Sequence, residues 1–194
     1  MTNWFPDSTA ARLFIVVFFI WAASEVINTF GTRLRRQPAG TSQRDQGSYW
    51  VMVLTVWGSI LVAFLARAMQ LGTFRNGVQY GGLGLTIAGI VFREWAVVSL
   101  GRFFTVKVMV GADQRLVKCG PYRWLRHPAY TGSILTFVGF AVALGTWVGS
   151  VLALLIGGAG FFYRVRIEEK ALLEAFGDEY RDYMQHTWRF FPGL

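Results

Sequence analysis

Two short stretches concentrate the side chains that could do chemistry. The first, GPYRWLRHPAYTG, runs from Gly120 to Gly132 and places two arginines, a histidine, two tyrosines and two prolines directly before the longest uncharged run of the chain. Pro128 suits the first turn of a helix and pushes His127 towards an extended conformation, so His127 should sit just outside that helix with the helix N-terminus beside it. Such an end offers unpaired N–H groups and partial positive charge, a setting for a carboxylate. Singly, Arg123, Trp124, Arg126 and the tyrosines also fit an ordinary interfacial belt. Their clustering argues for a site.

The second stretch, YRVRIEEKALLEAFGDEYRDYMQHTWRFFPG, runs from Tyr163 to Gly193. Arg164 and Glu168 are four residues apart and therefore share one helix face. Leu172, Leu173, Phe176 and Tyr180 continue an amphipathic pattern, which predicts a helix that ends near Gly177. By spacing alone, Glu168 and Glu169 could equally do no more than neutralise nearby arginines.

Other chemistries lack their residues. There is no GxGxxG, no Walker loop, no histidine pair at zinc spacing and no Ser-His-Asp arrangement. His186 reads as a surface residue. Cys119 is the only cysteine, which excludes an internal disulfide and a cysteine-based metal cluster within one chain. The net charge of +8 would suit nucleic acid, but the basic residues lie between apolar runs and form no stripe or reading motif.

The elements that position these groups belong in lipid. Of the 194 residues, 54% are hydrophobic, 16% aromatic and only 15% charged. Ala10 to Phe30 reads as a first span rather than a signal peptide, because no basic region precedes it and it outlasts a signal core. Gly31 to Ser48 is a polar loop, Tyr49 to Ala66 a second span, Arg67 to Gln79 a short turn region, and Tyr80 to Leu100 a third span interrupted by Arg93-Glu94. Charged groups at this depth, Glu25 included, call for pairing or a water-lined cavity; an interhelix ion pair is the simpler reading and a place on a substrate's path the other. Small residues in YGGLGLTIAG and LIGGAG suit close helix packing.

Ala129 to Tyr163 carries no charge over 35 residues. As one helix it would be about 52 Å long against a hydrocarbon core of roughly 30 Å, so it must fold back. Leu144 to Gly149, LGTWVG, supplies the turn and leaves two helices of about 17 residues, for five spans in all. Of the 19 Lys and Arg residues, Arg12, Arg67 and Arg75 fall on one side and Arg93 inside a span; the rest fall on the other side. The positive-inside rule then puts the N-terminus outside and the C-terminus in the cytoplasm of a multi-pass protein of the cell (inner) membrane. Gly101 to Pro128 and Arg164 to Leu194 meet on the cytoplasmic side, flanking the hairpin.

Together, LVKCGPYRWLRHPAYTG and, some forty residues on, RIEEKALLEAFGDEYRDYMQHTWRFFPG resemble the C-terminal half of the isoprenylcysteine carboxyl methyltransferase family, relatives of the phospholipid N-methyltransferases. The resemblance covers residues 101–194, and residues 1–100 share only their being spans. It implies an all-α integral membrane methyltransferase that takes S-adenosylmethionine from the cytoplasm, needs no metal, and draws a lipophilic acceptor from the bilayer. By position it implies that Lys107, Gln114, Arg115, Leu116, Val117, Tyr122, His127, Pro128, Ala129, Tyr130 and Glu168 hold the cofactor, and that Arg164 with Glu168 acts at the reacting centre. Glu168 would offset the cofactor's cations, Tyr122 and Tyr130 would face its sulfonium, and His127 with the helix end would receive its carboxylate. An NADPH-dependent membrane reductase sharing RHPxY, and a non-catalytic membrane scaffold, remain the other two readings.

Overall fold

In the computed structural model the described residues are 5, 8–34, 42–43, 47–74, 77–104, 109–110 and 115–193; the side chains of 32–34, 42–43, 102 and 109–110 are outside the description, as are Lys107 and Gln114 altogether. The chain is helical: α1 (Ser8–Leu34), α2 (Ser48–Ala68), α3 (Val78–Leu100), α4 (Pro128–Ala143), α5 (Trp147–Phe176) and α6 (Asp178–Gln185). A two-residue antiparallel ladder, β1 (Ser42–Gln43) with β2 (Met109–Val110), joins the loop after α1 to the segment after α3. Short 3-10 turns occupy Gly101–Phe103 and Gly120–Arg123.

Among the described residues four helices, α1, α2, α3 and α5, are long and apolar enough to cross a bilayer. The fifth apolar helix, α4, differs from the sequence expectation of two equal spans. It has 16 residues, about 24 Å, and 12 of them are buried, so it is sheathed by protein rather than lipid. Its partner α5 has 30 residues, about 45 Å, and its C-terminal turns continue beyond a core of roughly 30 Å.

Glycine contact sets how closely α4 sits on α3. A Cβ built on Gly139 would lie 2.5 Å from the Thr86 nitrogen, and one built on Gly89 would lie 2.6 Å from the Thr136 nitrogen. The backbones touch, and no side chain could separate them without moving a helix. On the other flank α1 lays Phe14, Val17 and Trp21, one stripe at helical spacing, against the core; Phe14 and Trp21 meet Phe140 of α4 edge-on at 5.7 and 5.6 Å. The opposite face of α1, with Ile15, Phe19, Ile20 and Ile27, is exposed and suited to lipid.

The hairpin turn falls where the sequence places it. Gly145 has φ 84°, and Thr146 caps α5 by accepting from the Gly149 amide at 3.0 Å. Thr146 also donates to the Leu71 carbonyl at 2.7 Å and the Trp147 amide to Gly72 at 2.8 Å, so the loop after α2 is sewn to this end. At the other end, α5 stops at Phe176 before Gly177, whose φ is 53°, and α6 turns back. The sequence reading of residues 101–194 as carrying a C-terminal helix beyond the hairpin leaves open the break at Gly177, which makes α6 a separate element of eight residues.

Candidate active site

The first turn of α4 meets α5 through one hydroxyl. Tyr130 Oη donates to Glu168 Oε2 at 2.8 Å and accepts from Arg164 Nε at 3.3 Å. The four-residue spacing of Arg164 and Glu168 is what lets both reach it. Arg164 is buried and also donates through Nη1 to Ser48 Oγ, the first residue of α2. The Tyr130 ring stacks on Phe161 at 5.1 Å and on His127 at 5.8 Å, which fixes its tilt.

Glu169 points elsewhere. One residue along a helix is a rotation of about 100°, and the side chain is only 7% exposed against 30% for Glu168. Its carboxylate receives Arg126 Nε at 3.0 Å, Arg189 Nε at 3.2 Å and Arg189 Nη2 at 2.8 Å, and contacts His127 Nε2 at 3.3 Å. Backbone bonds parallel this knot: the Arg126 amide donates to Trp188 at 2.8 Å, His127 to Arg189 at 3.2 Å, and Trp188 back to Trp124 at 3.0 Å. The tail after α6 is thus fastened beside the entry to α4. Glu169 thus neutralises nearby arginines, as the sequence allowed for the pair, but it does so on a buried face, while Glu168 meets Tyr130. Sequence reasoning offered Glu169 only a charge-neutralising role and gave Arg189 none, because residues 126, 169 and 189 share no helix periodicity.

His127 does stand at the N-cap of α4, but its surroundings differ from the expectation. Its ring faces carboxylates, Glu169 and, at 4.0 Å from Nδ1, Glu168. The Tyr130 amide turns back onto the His127 carbonyl at 3.1 Å and the His127 amide donates to Arg189 at 3.2 Å, so the helix end has fewer free donors than a bare N-terminus.

The other proposed cofactor residues divide. Val117 packs with Tyr122 and Ala129 against Ala96 of α3, so these three are brought together next to Pro128 and Tyr130. Tyr122 is buried, and its carbonyl accepts from Tyr183 Oη of α6 at 2.7 Å. Burial, with the charge of Glu168 second, raises the Tyr122 phenol well above its ordinary value, so it is a neutral donor. Leu116 is half-buried, and Arg115 extends into solvent.

On the far side of Tyr130 a cavity of about 260 Å³ opens between α1, α2 and α3. Trp21, Met52, Val56 and Trp57 give it apolar walls, and Tyr130, Arg93 and Glu25 its polar end. Arg93 grips Glu25 bidentately, Nε to Oε1 at 2.5 Å and Nη2 to Oε2 at 2.9 Å, and its Nη1 donates to the Ala129 carbonyl at 3.3 Å. Asn28 donates to Glu94 at 2.9 Å. The charges at membrane depth are therefore an interhelix ion pair, and that pair also forms a cavity wall. Among the described residues no group of three or more His, Cys, Asp or Glu side chains could hold a metal ion.

Known proteins share this arrangement of helices and sequence. Residues 82–174, from α3 to near the end of α5, match the model of the isoprenylcysteine carboxyl methyltransferase (ICMT) family. A probable protein-S-isoprenylcysteine O-methyltransferase of rice (Oryza sativa subsp. japonica) is 32% identical over 94% of this chain and 95% of its own, so that likeness extends over the first three helices as well. The protein-S-isoprenylcysteine O-methyltransferase of Saccharomyces cerevisiae is 36% identical over 53% of this chain and 44% of its own. A solved structure of the eukaryotic intramembrane Ras methyltransferase ICMT superposes with a TM-score of 0.61 at 27% identity, covering 73% of this chain; the chain spans about half, 52%, of that longer one. The match to the rice protein along almost the whole of both chains, with the family model over the site-bearing helices, establishes that this chain belongs to the isoprenylcysteine carboxyl methyltransferase family of membrane methyltransferases.

Proposed function

We propose that the protein methylates the carboxylate of a lipophilic, isoprenylcysteine-type acceptor with S-adenosylmethionine, at the cytoplasmic face of the cell membrane. The observation that carries this reading is the double position of Tyr130. Its hydroxyl binds both Glu168 and Arg164, and its ring lines the cavity between α1, α2 and α3. One residue therefore separates a compact polar site, reached through the loops, from an apolar space reached through the spans.

The donor set fits the cofactor. S-adenosylmethionine joins cations and a carboxylate to a flat ring system, and the site offers an anionic Glu168 flanked by the rings of Tyr122, His127 and Tyr130. Lys107, Gln114, Arg115, Leu116, Val117, Pro128 and Ala129 would complete the cradle. When bound there, the cofactor supplies a methyl group on a sulfonium, already activated for in-line displacement. The protein's part is then positioning in a dry site. An acceptor carboxylate is ionised at pH 7 and needs no base. Arg164, held by Tyr130 and Ser48, is pre-organised to orient that carboxylate, and the apolar walls hold the lipid tail. We assign residues 1–100 to the acceptor and 101–194 to the cofactor and chemistry.

Two measurements on detergent-purified protein test this. S-adenosylhomocysteine should raise the Tm and NADPH should not; the reverse would overturn the reading in favour of a reductase. Labelled methyl groups should pass to a short S-farnesylcysteine but not to its carboxamide, and equal labelling of both would exclude the carboxylate as acceptor.

A further inference from the structure

The cavity between α1, α2 and α3 has a depth that its helical walls measure. Ser48, the first residue of α2, meets Arg164 beside Tyr130, whereas Val56 and Trp57 of the same helix line the space further in. From Ser48 to Val56 is eight residues, about 12 Å of helix. Helix α4 agrees. Tyr130 lines the space at the reacting end, and Trp21, which lines it too, meets Phe137 and Phe140 edge-on at 6.1 and 5.6 Å; these lie seven and ten residues beyond Tyr130, or about 10 to 15 Å along α4.

Past Trp21 the space is closed by rings. Phe18 packs on Trp21 at 5.6 Å, and Phe14 meets Phe64 of α2 and Phe140 of α4 edge-on, at 6.3 and 5.7 Å. Among the described residues no side chain of α1 before Trp21, and none of α2 beyond Trp57, lines the cavity. Trp21 is therefore its floor, and it is held there, 4% exposed, by three other rings.

A floor limits the length of what stands on it. A cavity of about 150 Å³ takes the six carbons of benzene, so one of about 260 Å³ takes roughly ten. An extended chain gains about 3.5 Å per three bonds, so a depth of about 12 Å takes roughly ten bonds, which is two isoprene units and their link to sulfur. Volume and depth agree on a ten-carbon tail.

Building on the acceptor reading above, we propose that Trp21 is a specificity-determining residue: it ends the tail site and matches the acceptor to a ten-carbon isoprenoid chain, longer tails being accepted less well. The test compares kcat/KM for methyl transfer to N-acetyl-S-geranylcysteine with that for its five-carbon dimethylallyl and twenty-carbon geranylgeranyl analogues. A ratio between two acceptors on one preparation does not depend on how much of the enzyme is folded, so a merely structural role for Trp21 leaves it unmoved. The unmutated protein should favour ten carbons over twenty by roughly tenfold or more, and Trp21→Leu should remove most of that preference. Val56→Phe, which fills the inner end without deleting a core side chain, should shift preference from ten carbons to five by roughly tenfold and decides the matter if Trp21→Leu does not fold. Equal use of ten- and twenty-carbon tails by the unmutated protein, or an unchanged ratio in folded Trp21→Leu or in Val56→Phe, overturns the proposal and leaves the methyltransferase reading intact. Failure of the unmutated protein to methylate any of the three carboxylates overturns that reading itself, and this proposal with it.

Discussion

Glu168 and Glu169 are adjacent in the chain and serve different structures: Glu168 accepts from the Tyr130 hydroxyl, while Glu169 ties Arg126 and Arg189 together. Their variants should separate in kind. Glu168→Gln should weaken S-adenosylhomocysteine binding by about 2 kcal/mol, roughly thirtyfold, with a Tm shift of no more than a degree or two. Glu169→Gln leaves Arg126, nearly buried, and Arg189, partly exposed, without their carboxylate and should cost about 3 kcal/mol, a Tm loss of roughly 6 °C. Calorimetry and thermal melts on both proteins decide it, and matching losses in both assays would contradict the division.

The Glu25–Arg93 pair invites a double-mutant cycle. Arg93→Met strands a carboxylate at membrane depth and should cost about 3 kcal/mol; Glu25→Gln should also destabilise. The double variant should recover much of the loss, a coupling of about 1–3 kcal/mol read from melts in one detergent. Additive losses would show that the two side chains do not depend on each other.

Backbone contact between α3 and α4 predicts an asymmetry among glycines. Gly139→Leu drives a side chain into the Thr86 backbone and should cost about 3 kcal/mol or abolish the folded, monodisperse species. Gly84→Ala, on an exposed position of the facing helix α3 with open space around it, should be neutral or stabilising by up to about 1 kcal/mol. Size-exclusion profiles of the two variants are sufficient, and a well-behaved Gly139→Leu would refute the close approach.

Alkaline pH should loosen α6. Burial raises the Tyr183 phenol in the folded protein, whereas in the unfolded chain it ionises near pH 10. Its contribution is therefore complete below about pH 10 and is lost as pH rises above that value towards the folded pKa. Tyr183→Phe should start from a lower Tm at pH 7, since the Tyr122 and Leu125 carbonyls lose their donor, and should decline less steeply above pH 10. An unchanged alkaline slope would assign the effect to other groups.

Much of the architecture was legible because length and charge are hard constraints in lipid. An uncharged run of 35 residues must fold back, and Thr146 caps α5 inside the stretch that sequence offered for the turn. What hydropathy does not distinguish is an apolar helix facing lipid from one facing protein, so the burial of α4 emerged only from packing. Arg164 and Glu168 were legible because helix periodicity alone places them together. Glu169 was not, since the direction of a helix's next residue depends on how the helix is rotated in the bundle. Arg93 and Glu25 were legible as charges needing partners, but their shared cavity wall is made by three helices distant in sequence. The gap between sequence and structure is widest at α6, where Tyr180 reads as an ordinary amphipathic residue and Tyr183 carries no signal, yet among the described residues only the Tyr183 hydroxyl of the two is matched.

The backbone pairing of Trp188 and Arg189 with residues 124–127 also sets an order of events in biosynthesis. Helices α1 to α5 can insert and pack before residues 188 and 189 are made, but until then Glu169 lacks Arg189 and the approach to α4 lacks its companion strand. A chain cut off before Trp188 would be a membrane-inserted bundle whose entry to α4 is unfastened, so the order at this end of the bundle arrives only after the scaffold that carries it.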